Sequence, residues 1–210
     1  ALLVITGTLV IYVCEHANTL MTLPVGSQYL HALFQSITLR TAGFNSIPFS
    51  SLASSTLAVM IVFMFIGGAT GSTAGGIKVN TLAVMFSYFK SYLKKNDDTI
   101  IRNARIEHTT VIHAYLLFFI GITIVSTGAF ILTITEDLPY LSVLFEVVSA
   151  FATVGLSTGI TALLSNAGKI VIILLMFFGR LGPLTILAAA VVARREQYAY
   201  RYPRADIQIG

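Results

Sequence analysis

The chain has 210 residues, of which 56% are hydrophobic and only 10% charged, and its net charge is +4. Mean hydropathy is +0.84, whereas soluble domains carry about 25% charged residues, so the composition excludes a soluble domain and describes an integral membrane protein. Nucleic acid is no partner either, because the basic residues stand in short segments beside apolar spans, where membrane topology accounts for them.

Residues 1–13 form the first apolar span. No basic segment precedes them and no small-residue cleavage site follows, so they read as a transmembrane helix and not as a signal peptide. The chain opens on Ala1 inside this run, without an initiator Met, and is expected to be a piece of a longer protein. The single cysteine, Cys14, forms no internal disulfide. Residues 27–40 are apolar but too short to cross a hydrocarbon core of about 30 Å. They lead into Arg40-Thr41-Ala42-Gly43-Phe44. A short apolar helix followed by glycine predicts a re-entrant pore helix.

Residues 54–89 are apolar at both ends and glycine-rich in the middle. One unbroken helix over this range would be about 54 Å long at a rise of 1.5 Å per residue. Five glycines fall in Gly67-Gly68-Ala69-Thr70-Gly71-Ser72-Thr73-Ala74-Gly75-Gly76, each costing a helix about 1 kcal/mol. The expectation is a helix broken near mid-membrane, where irregular backbone survives only if buried or lining a watery cavity. A flexible loop there suits a gate; close helix packing through the GxxxG of Gly67 and Gly71 is the plainer reading. The loop fails as a phosphate cradle, because Ile77 precedes Lys78 and no Ser or Thr follows the lysine.

A basic linker, residues 90–108, holds Lys90, Lys94, Lys95, Arg102 and Arg105. A clear span follows at 109–134, then a second short candidate at 140–151, then Ala152-Thr153-Val154-Gly155-Leu156, then a span at 166–192 and a basic tail at 193–210. The order span, pore loop, span thus occurs twice, as parallel repeats over 1–89 and 109–192. The loops align with a one-residue slip between Phe and Gly. Linker and tail, with Arg194, Arg195, Arg201 and Arg204, are predicted cytoplasmic. Glu15, Glu136 and Asp137 fall on the other side, so both loops enter from outside.

Potassium sheds water only where oxygen dipoles replace it. A pore helix directs the partial negative charge of its C-terminus at the membrane centre. Main-chain carbonyls around Gly43 and Gly155 would complete the coordination. The candidate filter is Thr41, Ala42, Gly43 and Phe44 with Thr153, Val154, Gly155 and Leu156. Thr153-Val154-Gly155 matches the start of the potassium-channel signature without its second glycine. Arg180, inside the last span, is costly at membrane depth and is expected to face a pore or a partner. Pro183 beside it would disturb the helix. Arg40 and Glu146 read as scaffold charges, and Lys78 as the cytoplasmic exit of the broken helix. His16, His31, His108 and His113 make no metal set, and no nucleophile motif occurs.

Four stretches carry a family resemblance. They are Phe34 to Asn45, Gly67 to Lys78, Phe145 to Ser157, and Gly179-Arg180-Leu181-Gly182-Pro183-Leu184-Thr185. On these the chain resembles the Trk/Ktr/HKT superfamily of cation transporters, most closely the bacterial Ktr/Trk membrane subunit. The resemblance implies an all-α membrane protein with four helix–pore loop–helix repeats around one pore, of which this chain holds the third and fourth. It implies that Gly43 and Gly155 belong to filter loops, that Gly67 to Gly76 form an intramembrane gating loop, and that Arg180 lies under the filter beside that loop. It also implies a homodimer working with a cytosolic nucleotide-binding ring. The expected function is potassium uptake across the plasma membrane by a multi-pass, non-enzymatic protein. K+ is then the transported ion, held at Gly43 and Gly155 by backbone carbonyls, with no organic cofactor. The rivals are a transporter of another cation or small solute using broken helices, a membrane-embedded enzyme, and a non-conducting scaffold.

Overall fold

The structure, a computed structural model, describes residues 2–69, 71–72, 74–95, 98–101 and 104–182. Thr70, Thr73 and the stretch from Pro183 through the basic tail lie outside the described residues. Helix α1 runs over Leu2–Glu15 and α2 over Val25–Thr38, and α3 covers Ser54–Phe65. After a non-helical stretch, α4 covers Val79–Leu93. Strands β1 (Thr99–Ile101) and β2 (Ala104–Ile106) pair antiparallel, with Thr99 opposite Ile106. Helices α5 (His108–Thr135), α6 (Tyr140–Phe151) and α7 (Asn166–Leu181) follow.

The short helices α2 and α6 both start directly after a proline, Pro24 and Pro139. A helix start tolerates a residue with no N–H, because the first amides have no intrahelical partner. The sequence predicts four crossing spans, yet among the described residues α5 alone, with 28 residues, is long and apolar enough to cross. The physical reason is local. The glycines split 54–89 into α3 and α4, α1 holds 14 residues, and the described part of α7 ends at Leu181. The hairpin of β1 and β2 is a small exception to the all-α expectation. Its β-branched Thr99, Ile100, Ile101 and Ile106 favour a pleated surface, and the exposed Asp98–Arg105 ion pair of 2.9 Å adds under about 1 kcal/mol.

Helix α6 lies at the centre, with α3, α5 and α7 packed around it. Every residue from Phe145 to Phe151 is buried. Gly179 of α7 sits directly on the Phe151 carbonyl, where any Cβ would collide with that oxygen. A small residue is therefore needed for α7 to cross the C-terminal end of α6. By contrast α2 exposes Tyr29, Leu30, Leu33, Phe34 and Ile37.

Two carboxylates fix the starts of α3 and α7. Glu15, at the end of α1, accepts from the Ala53 amide at 2.9 Å and the Thr56 hydroxyl at 2.5 Å. Glu136, just past α5, accepts from the Ser165 amide at 3.0 Å and the Ser165 hydroxyl at 2.5 Å. Ala53 and Ser165 are the N-caps of α3 and α7, where a negative charge meets the positive end of the helix dipole. The Ser165 hydroxyl and amide together hold the Glu136 carboxyl below the usual carboxylate range. A depressed folded pKa contributes stability that is complete above the unfolded value and lost as pH falls through the folded one. The melting temperature in detergent is thus expected to fall on acidification through that range, and Glu136→Gln is expected to remove that part of the fall. A variant with the wild-type pH profile would contradict the assignment.

Candidate functional site

The helix α2 stops at Thr38, and the chain turns through Thr41 and Gly43, whose φ values are +68° and +76°. After α6 stops at Phe151, the chain turns through Thr153 and Gly155, with φ of +55° and +84°. Ala42 and Val154, between them, are not left-handed. Alternation of this kind turns successive carbonyls toward one side of the chain, as a lining of oxygen dipoles requires. A positive φ at a β-branched threonine is a genuine outlier and costs on the order of 1–3 kcal/mol.

The two turns meet. A methyl group built on Gly43 would lie 2.8 Å from the Val154 carbonyl oxygen, and one on Gly155 would lie 3.8 Å from the Gly43 Cα. Gly43 is thus brought against Val154 and Gly155, while Phe44 is 70% exposed and Leu156 is buried. A hydroxyl from each short helix pins the far limb of its turn. Thr38 Oγ1 donates to the Phe44 carbonyl at 2.5 Å and accepts from its amide at 2.9 Å. Ser149 Oγ donates to the Leu156 carbonyl at 2.6 Å. Neither hydroxyl stands out in the sequence.

The glycine-rich stretch is a closed excursion between α3 and α4. The Gly67 amide donates to the Ile77 carbonyl at 2.8 Å, and the Ile77 amide to the Phe65 carbonyl at 3.1 Å. Within the excursion, Ser72 Oγ donates to the Ala69 carbonyl at 2.7 Å. Lys78 Nζ donates to the carbonyls of Ser72 at 3.0 Å and Ala74 at 2.5 Å. The excursion touches the second turn directly, for the Gly75 amide donates to Thr153 Oγ1 at 3.0 Å. A Cβ on Gly75 would stand 2.8 Å from the Ala152 carbonyl. Arg40 Nη1 donates to the carbonyls of Phe63 at 3.1 Å and Ile66 at 2.5 Å, so it caps the C-terminal end of α3 where the helix breaks.

A cavity of about 450 Å³ lies between α6, the second turn and α7. Its wall includes Glu146, Thr153, Gly155, Ser157, Met176 and Arg180. Arg180 follows Gly179 on α7, which sets it close to the end of α6. No group of His, Cys, Asp and Glu among the described residues is arranged to hold a metal ion.

Residues 1–200 match the family described as TrkH, cation transport protein. The chain belongs to the TrkH cation-transport family. Among curated relatives of this TrkH-family chain, the Ktr system potassium uptake protein B of Bacillus subtilis is 39% identical over 99% of the chain and 48% of its own length. The protein of the same name from Vibrio alginolyticus is 39% identical over 100% of the chain and 46% of its own length. The potassium/sodium uptake protein NtpJ of Enterococcus hirae is 35% identical over 100% of the chain and 48% of its own length. The crystal structure of the potassium transporter TrkH from Vibrio parahaemolyticus shares the fold, with a TM-score of 0.75 at 22% identity, covering 90% of this chain and 42% of that one. The TrkH-family chain is therefore a helical membrane protein that spans about half the length of the curated relatives it matches.

Proposed function

We propose that this chain supplies two of four helix–pore loop–helix repeats of a potassium uptake pore, over residues 1–89 and 109–192. The observation that carries the reading is the meeting of the Gly43 and Gly155 turns, with matched left-handed residues two apart in each. Backbone carbonyls at Thr41 to Phe44 and Thr153 to Leu156 replace the hydration shell of K+. Two turns supply half of a ring, and two further repeats of the same protein supply the other half. The apolar residues that α2 exposes support further repeats packing there. Linker and tail face the cytoplasm, because both are basic. Subunits pair as a homodimer and work with a cytosolic nucleotide-binding ring.

The loop from Gly67 to Gly76 is the gate, and its contact with Thr153 supports this role. Arg180 holds a positive charge on the cavity wall near the same turn and slows cations. Arg180→Ala is expected to raise uptake severalfold at matched membrane abundance; equal or lower uptake removes that role. The reading as a whole is tested by Rb+ uptake in a bacterium lacking its own K+ uptake systems. The full-length protein that carries this chain should restore growth at low K+ and take up Rb+. Failure to do either, with the protein present in the membrane, would refute it.

A further inference from the structure

The two short helices carry different residues at one matched place. Gln35 stands eight residues before Gly43 and Glu146 nine before Gly155, the extra residue being the slip between the loops. Both side chains are buried, at 0% and 5% exposure. Both reach past the glycine to the limb that leaves the turn. With its oxygen directed at that limb, the Gln35 amide accepts from the Ser46 and Ile47 amides at 3.1 and 3.2 Å. The Glu146 carboxylate accepts from the Ser157 hydroxyl and, at 3.1 Å, from the Thr161 hydroxyl. The Thr158 amide also faces it. Ser157 Oγ in turn accepts from the Gly159 amide at 2.9 Å.

Gly155, Leu156 and Ser157 of this limb line one cavity together with Ile172, Met176 and Arg180 of α7. Hydrogen bonds from α6 hold that limb. Resting on the pore reading above, we infer that Glu146 is a positioning residue for ion selection: it braces the second turn from behind, as Gln35 braces the first. Preference for K+ over Na+ depends on the size of the site or on the number and field of its carbonyls. Either way, the turn must be held against closing on the smaller ion. Removing the buried acceptor strips the Thr158 amide of its partner and leaves Ser157 and Thr161 only their 2.9 Å bond to each other and the Gly159 amide, so the limb loses its tie to α6 and is freed to move. Glutamine keeps one acceptor oxygen, and Gln35 shows that a glutamine suffices at the matched place.

The test is the ratio of Rb+ to Na+ uptake by the full-length protein in cells lacking K+ uptake, together with KM for Rb+. Glu146→Ala is expected to lower the ratio about tenfold and raise KM, while Glu146→Gln stays within about threefold of wild type. Ser157→Ala with Thr161→Val, which removes both hydroxyl donors and leaves only the Thr158 amide, is expected to lower the ratio in the same direction as Glu146→Ala by about threefold or more, and the triple variant to go no further than Glu146→Ala. If Glu146→Ala fails to reach the membrane, the double variant, which keeps Glu146, decides in its place. Ratios within about twofold of wild type in that variant would overturn the brace. A wild-type protein that takes up no Rb+ would overturn the pore reading and this one together, whereas wild-type uptake with unchanged ratios overturns the brace alone.

Discussion

Deleting residues 70–75 is expected to raise Rb+ uptake about tenfold at matched membrane abundance, equivalent to removing a barrier of about 1.4 kcal/mol. The excursion is pinned at its base by Gly67 and Ile77 and reaches the second glycine turn through the Gly75 amide on Thr153 Oγ1. Under the proposed gate, that contact sets the loop across the exit of the turn. The deletion removes Gly75 from Thr153 and takes away the Ser72 and Ala74 carbonyls that hold Lys78. An uptake assay with a membrane-abundance control separates the outcomes. Faster uptake fits a gate, and an unchanged or slower rate fits a loop that only packs.

Gly155→Ser carries the second large effect. Space is not the obstacle, because the nearest atom to an added Cβ is the Gly43 Cα at 3.8 Å. The backbone is. At φ of +84° a residue with a Cβ costs roughly 1–2 kcal/mol more than glycine, and the strain is relieved by turning the peptide and its carbonyl. Preference for K+ over Na+ is expected to fall about tenfold, with transport retained. Competition between Rb+ and Na+ in the uptake assay reads this directly, and an unchanged preference would dissociate Gly155 from selection. Gly43→Ser is a useful companion, because its Cβ would also press on the Val154 carbonyl at 2.8 Å.

The glycine turns were legible in the chain because left-handed backbone leaves its mark as glycine. The left-handed Thr41 and Thr153 leave none, since threonine avoids that region and gives no warning of it. The break after Phe65 was also legible, from five glycines in ten residues. Among the described residues, the number of helices long enough to cross was not. Hydropathy marks 54–89 and 166–192 as spans but does not say where a helix stops within them. The hairpin in the linker was hidden behind its charges. That the turns 112 residues apart share one pore was expected through the family resemblance, whereas their direct packing, Gly43 on the Val154 carbonyl, is given by no spacing in the chain. The brace was half visible: Gln35 and Glu146 occupy matched places, but an amide and a carboxylate do not look alike, and the slip of one residue hides the register. Glu15 and Glu136 stood out only as charges outside the membrane, and their role as caps of α3 and α7 emerged from the distances to Ala53 and Ser165.

Anomalous scattering from crystals of the full-length protein soaked in Rb+ or Tl+ addresses the pore most directly. An ordered ion is expected between the Gly43 and Gly155 turns, coordinated by main-chain oxygens that include the Val154 carbonyl. Ordered ions elsewhere in the molecule, with none between these turns, would contradict the account.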